Sequence, residues 1–143
     1  MRNFKKKEVF PKPKNLGRRP WGKEILLALI PKTLSLKYLK IKKGNKGGLQ
    51  YHHLKNECGI VISGKLLVRY DLGNGNLKNV ILTKNKSFHF PPGLVHQEEA
   101  LTDVEIIEAS TPHFNDRVRV EKKYGYPSGE GMPTTRKVDI IKK

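Results

Sequence analysis

Cysteine, acidic residues and long apolar runs are all scarce in this sequence of 143 residues. Its single cysteine, Cys58, excludes an internal disulfide, which agrees with a reducing compartment. The longest apolar run, Ile25–Ile30, falls far short of the roughly 20 residues that a membrane helix needs. No apolar segment follows the N-terminal lysines, so we predict no signal peptide and expect a cytoplasmic protein without a membrane partner.

Only 13 residues are acidic, against 29 lysines and arginines, so the formal net charge is +16. Such an excess attracts anions, although runs of like charge are usually solvated surface. The basic residues are dense at both ends of the sequence, and proline interrupts both ends. We therefore predict a basic, irregular N-terminal arm over residues 1–17, one domain over residues 18–126 and a basic C-terminal tail over residues 127–143.

Amphipathic helices and internal repeats are also missing. Between the two ends, short β-rich runs alternate with glycine and asparagine turns, which is typical of an antiparallel sandwich or barrel. Ser63–Gly64 predicts a tight hairpin, and Gly73-Asn74-Gly75-Asn76 predicts a second turn. The predicted strands are Glu24–Ile30, Leu34–Lys42, Gly48–His53, Cys58–Ser63, Lys65–Asp71, Leu77–Thr83, Ser87–Phe90, Val95–Glu99 and Val104–Ser110.

Four polar residues are spaced so that they could meet inside such a barrel. Gln50 and His52 are two apart, so they share one face of a strand. Glu57 would point to the other face of a continuous strand, but a turn or bulge before it can restore the inward direction. His96 follows the stiff corner Pro91-Pro92-Gly93. Each residue alone is better explained as a hydrogen-bonded or solvated residue of the barrel, whereas together they form a mixed N/O donor set that suits Zn, Mn, Fe, Co or Ni.

The same residues carry a resemblance to a known family. The segments Gln50–Glu57, Ser63–Gly64 and Pro91–His96 resemble the two motifs of the cupins, with Gln50 in place of the usual first histidine. That replacement is similar to the cupin-type mannose-6-phosphate isomerases, including the C-terminal domain of bifunctional isomerase/guanylyltransferases. Further similar segments extend the likeness over residues 18–126, namely Arg19–Gly22, Ser87–Gly93, Ile106–Glu108, Asp116–Arg119 and Tyr124–Gly125.

The resemblance implies an all-β, single-domain cupin jelly roll that pairs as a homodimer and acts on a phosphorylated or anionic sugar. It also implies one divalent metal ion bound by Gln50, His52, Glu57 and His96, and aldose–ketose isomerisation. Further candidates for contact with substrate are Arg119 and Lys55, as cations, and His53 and His89, as bases. Strand alternation turns His53 away from the metal, so no general base is assigned.

Several positions depart from that family and keep other functions open. Gly59 replaces a tryptophan, Gln97 an arginine, Ala100 an asparagine and Lys55 an arginine. One alternative is therefore a metal-binding cupin that acts as a sugar-binding module or as an iron-dependent oxygenase. Another is nucleic-acid binding through the basic arms, which the sequence supports least because it contains no known nucleic-acid-binding motif.

Overall fold

The computed structural model describes residues 1–127 and 134–135. Within those residues, no helix is both long enough and apolar enough to cross a membrane. The helical elements are α1 (Lys6–Val9) and one 3-10 helix (Glu121–Tyr124). The strands are β1 (Lys14–Arg19), β2 (Gly22–Ile30), β3 (Leu34–Ile41), β4 (Gln50–Tyr51), β5 (Glu57–Ser63), β6 (Leu66–Asp71), β7 (Lys78–Leu82), β8 (Ser87–Phe90), β9 (Val95–Ala100), β10 (Val104–Ser110) and β11 (Val118–Arg119).

The strands form two antiparallel sheets that pack face to face. The large sheet has the order β1-β2-β3-β10-β5-β8, and the small sheet has the order β11-β4-β9-β6-β7. From β3 to β10 the chain passes repeatedly between the sheets, so neighbours in sequence are often not neighbours in a sheet. This arrangement is a jelly roll, and it confirms the predicted all-β class.

Alternation along the strands builds an apolar core between the two sheets. In β10, for example, Val104, Ile106, Glu108 and Ser110 are buried while the residues between them are partly exposed. The core residues come from both sheets and are Leu39, Val61, Leu66, Val68, Leu82, Phe88, Phe90, Ala100, Val104 and Ile106. Because Glu108 and Ser110 continue the same inward face, the interior becomes polar towards that end of the barrel.

Of the two predicted turns, the one after Asp71 is confirmed and the one at Ser63–Gly64 is wrong as a hairpin. The turn after β6 does join a paired hairpin of β6 and β7, and the Asp71 carboxylate accepts hydrogen bonds from three of its backbone N–H groups. The predicted hairpin at Ser63–Gly64 is wrong, because β5 and β6 lie in different sheets and do not pair. Gly64 instead makes a corner in which an added Cβ would lie 2.1 Å from the carbonyl oxygen of Asp103.

The N-terminal segment is more regular than its sequence suggests. Strand β1 pairs with β2 at the edge of the large sheet, so the predicted boundary between residues 17 and 18 falls inside a strand. The pairing is interrupted between Asn15 and Arg18, where Gly17 has a φ of +98°. That irregularity interrupts the alternation of inward and outward side chains from which a strand is predicted. The predicted C-terminal tail lies outside the described residues except at 127 and 134–135.

Candidate metal centre

Two histidines and one glutamate meet at the polar end of the barrel interior. The Nε2 atoms of His52 and His96 lie 3.5 and 3.3 Å from Oε1 of Glu57. One donor atom from each residue lies within 4.8 Å of the other two, and all three residues are buried. Side chains so arranged can hold a metal ion, since imidazole nitrogen and carboxylate oxygen are ordinary ligands of divalent transition metals.

The orientation of both imidazole rings leaves the inner nitrogens free to act as ligands. His52 donates from Nδ1 to the backbone carbonyl of Asp116, and His96 donates from Nδ1 to the carbonyl of Leu94 at 3.0 Å. Because a carbonyl only accepts, these hydrogen bonds require a proton on Nδ1, so Nε2 is the nitrogen of each ring that can supply a lone pair to a metal ion. A hydrogen bond of this kind is the usual support of a metal-binding histidine, so the residues present fit a divalent ion.

A tight loop between β4 and β5 explains why Glu57 faces inward although it lies an odd number of residues after His52. The Asp116 carboxylate accepts hydrogen bonds from the backbone N–H groups of His53, Leu54 and Lys55, at 3.1, 2.6 and 2.8 Å. The chain is thereby folded over before β5 starts, and Glu57 enters its strand facing inward. This function of Asp116 could not be predicted from the sequence, because the residue lies far along the chain from the loop that it holds.

Strand register places Gln50 beside this group. In the small sheet Gln50 lies directly opposite His96, and Arg119 lies directly opposite Gln50. Residues opposite one another share a face, so all three side chains start on the inner face of that sheet. The Arg119 guanidinium turns to the carboxylate of Glu121, with its Nε at 2.8 Å from Oε1. Arg119 is therefore an ion-paired residue at the edge of the sheet.

Lys55 lies beside the cluster and interacts with two buried carboxylates. Its ammonium contacts Oε2 of Glu57 and lies 3.7 Å from Oε1 of Glu108. Burial alone would raise the pKa of Glu57, but the imidazoles of His52 and His96 and the ammonium of Lys55 together lower that pKa well below its usual value. Glu57 thus presents one oxygen to the histidines and the other to Lys55, and it is kept in the ionised form that metals bind.

Two further interior acids were missed by the sequence analysis. Glu108 and Glu98 lie on the inward faces of β10 and β9. Burial, followed by the negative charges of Glu108 and Glu57, raises the pKa of Glu98 to about 8. Burial and the charge of Glu57 also raise the pKa of Glu108. Both residues lie at inward positions of predicted strands, where an acid is unexpected, and Glu108 also belongs to one of the segments that resemble the family.

The structure does not bring the two other candidate histidines into this cluster. His53 is exposed and contacts the ring of Tyr51 edge-on, with ring centroids 5.4 Å apart. His89 is exposed on the outer face of β8, where its Nε2 lies 2.8 Å from Oδ1 of Asn56. Neither ring shares the interior with Glu57, so neither is placed to act as a base at this site.

Comparison with known proteins agrees with this geometry. Residues 7–122 match the family described as mannose-6-phosphate isomerase C-terminal. The chain is 31% identical over 112 residues to the alginate biosynthesis protein AlgA of Pseudomonas aeruginosa. The aligned segment covers 75% of this chain and 22% of AlgA. The chain is 28% identical over 113 residues to the mannose-1-phosphate guanylyltransferase RfbM of Salmonella typhimurium, with 76% and 22% covered. The chain therefore spans about a fifth of the length of these relatives.

Solved structures support the same fold. The capsular polysaccharide assembling protein CapF of Staphylococcus aureus superposes with a TM-score of 0.65 at 21% identity, covering 76% of this chain and 34% of CapF. KdgF from Halomonas sp. superposes with a TM-score of 0.56 at 21% identity, covering 69% of this chain and 86% of KdgF. At such identities the likeness shows the fold alone.

The jelly roll with its inward histidines and glutamate defines this protein as a cupin. Within that class, the chain belongs to the family of the mannose-6-phosphate isomerase C-terminal domain. The resemblance drawn from the sequence motifs is thereby confirmed.

Proposed function

We propose that this domain binds one divalent metal ion through Gln50, His52, Glu57 and His96 and isomerises a sugar phosphate between its aldose and ketose forms. The observation that carries the proposal is the convergence of the His52 and His96 Nε2 atoms on Oε1 of Glu57. When bound, a divalent ion supplies Lewis-acid polarisation of a sugar carbonyl. The match of residues 7–122 to the isomerase family supports the choice of reaction.

The chain's own residues would prepare the site in three ways. The backbone carbonyls of Asp116 and Leu94 fix the two imidazole rings, so that little reorganisation is needed when a ligand enters. His52, His96 and Lys55 together keep Glu57 ionised by lowering its pKa. The ring of Phe90 stacks on His96 with centroids 4.2 Å apart and covers that side of the site with an apolar surface.

A coupled assay of mannose 6-phosphate and fructose 6-phosphate tests the reaction. The purified protein is supplied in turn with Zn, Mn, Fe, Co and Ni, and turnover is expected with at least one metal. His96→Ala is expected to abolish that turnover, whereas His89→Ala, which changes an exposed histidine outside the barrel, should preserve it. Absence of turnover with every metal would reject this substrate pair.

A second candidate is a metal-dependent sugar-binding module without turnover. The pairing of Lys55 with both Glu57 and Glu108 favours it, because this interior cation is already engaged by carboxylates rather than presented to a phosphate. Saturable sugar binding by the metal-loaded protein, together with no interconversion in the coupled assay, would favour this module over the isomerase.

A further inference from the structure

One carboxylate oxygen in the barrel interior lacks any hydrogen-bond donor. Oε1 of Glu98 is buried and has no hydrogen-bond partner among the residues that the structure describes. Glu98 lies on β9 between His96 and Ala100, and all three share the inward face of that strand. The unpartnered oxygen therefore belongs to the same interior as the histidine–glutamate cluster.

Folding alone does not explain a glutamate at this position. A buried carboxylate without a donor destabilises the folded state, and nearly all buried polar groups in proteins have a partner. Val68 lies directly opposite Glu98, and Ala100 and Leu66 follow on the same inner face as part of the apolar core. An aliphatic side chain would suit these neighbours better, so the glutamate indicates a donor that arrives from outside the protein.

The charges around Glu98 indicate what kind of donor would fit. The charged groups that act on it are Glu108, Glu57 and Lys55. Both other carboxylates already share the single ammonium of Lys55. An anionic group bound there would be repelled by the ionised carboxylate of Glu57, and the ammonium of Lys55 is already engaged by Glu57 and Glu108. A neutral hydroxyl group instead donates a hydrogen bond without adding charge.

We propose that Glu98 accepts a hydrogen bond from a hydroxyl group of the carbohydrate bound beside His52, Glu57 and His96. This inference rests on the proposed function. It adds that the neutral, hydroxyl-bearing end of the sugar lies in the barrel interior. The phosphate of a sugar phosphate then lies away from Glu98. Glu98 becomes a specificity residue, since a site that hydrogen-bonds a hydroxyl discriminates strongly against analogues that lack it.

Two substitutions at one position test this role. Glu98→Gln keeps an accepting oxygen in nearly the same shape, whereas Glu98→Leu removes every acceptor and suits the neighbouring core residues. The matched control is Glu99→Gln, on the outward face of the same strand, where, among the described residues, Oε2 also accepts no well-aligned hydrogen bond but lies 2.7 Å from the guanidinium of Arg69, an ion-pair partner that Oε1 of Glu98 lacks. Each metal-loaded protein is titrated with mannose, fructose, mannose 6-phosphate and fructose 6-phosphate, and its metal content and Tm are measured.

Four results are expected. Glu98→Leu should raise the Tm of the sugar-free protein, because an unpartnered buried acceptor is removed. Its sugar affinity should fall by roughly ten- to a hundredfold, the effect of leaving a buried sugar hydroxyl without its hydrogen-bond acceptor. The sugar affinity of Glu98→Gln should fall less, and that of Glu99→Gln should match the wild type. Metal content should be the same in all four proteins.

Each other outcome overturns a defined claim. Wild-type affinity in Glu98→Leu would reject the role of Glu98 even if the isomerase assay is positive. Metal loss in Glu98→Gln would make Glu98 a metal ligand instead, and a lower Tm in Glu98→Leu would show that its carboxylate has a partner within the protein. Sugar binding without turnover would reject the isomerase alone, whereas no binding of any of the four sugars by the wild type would reject both proposals.

Discussion

Asp116 supports His52 through its backbone carbonyl, which accepts the hydrogen bond from Nδ1 of the imidazole. The carboxylate of the same residue accepts three backbone N–H groups of the loop that follows His52. One residue thus sets both the direction of a candidate ligand and the path of the chain to the next one, Glu57.

Substitution of Asp116 tests that double role. Asp116→Ala should lower the free energy of unfolding by about 2–4 kcal/mol, because three hydrogen bonds to a charged group are lost at once. It should also weaken metal binding, since the loop no longer presents Glu57 correctly. Denaturant unfolding and metal analysis measure the two effects. Asp103→Ala, which removes a carboxylate that accepts one backbone N–H, is the control and should cost about 1 kcal/mol.

Metal binding should depend on the buried histidines and not on the exposed ones. Wild-type protein at a metal concentration about one hundred times Kd should gain about 2.7 kcal/mol of stability, and chelation should reverse the gain. His96→Ala and Glu57→Gln should lose this response, and Gln50→Ala should weaken it. His53→Ala, one residue from a candidate ligand but exposed, should keep it. An equal response in His96→Ala would contradict the site.

Gly59 should resist replacement by any larger residue. A Cβ at this position would lie 2.5 Å from Cζ of Phe88 and 2.8 Å from the carbonyl oxygen of Ile107. Gly59→Ala should therefore lower stability by about 1–3 kcal/mol through overpacking. In Gly47→Ala the nearest atom to the new Cβ would be 3.9 Å away, so thermal unfolding of that variant should be close to wild type.

Alkaline pH should destabilise the protein through Tyr124. Burial and the hydrogen bond of 2.5 Å to Asp71 raise the pKa of Tyr124 to about 12. Because this folded-state pKa is above the usual value of 10.0, the stabilisation is complete below pH 10 and is lost as the pH rises towards 12. Tyr124→Phe should lack this loss. Unfolding curves of both proteins between pH 8 and pH 12 should converge, and parallel curves would contradict the assignment.

The sequence predicted the central strands well, because regular alternation and glycine turns mark them directly. It failed at β1, where the irregularity near Gly17 breaks the alternation, and at Ser63–Gly64, where a corner between sheets looks like a hairpin. For the site, the alternation of side chains along a strand placed Gln50 and His52 on one face. The same alternation could not show that Asp116 supports His52 or that Lys55 pairs with interior carboxylates, because both depend on contacts between distant parts of the chain.

The candidate ligands come from both layers of the barrel. Glu57 starts a strand of the large sheet, whereas Gln50 and His96 lie opposite one another in the small sheet. An ion bound by all three would therefore act as a cross-link between the layers, at the end of the barrel where polar side chains replace the apolar core. Release of that ion would loosen the two sheets from one another first at this end.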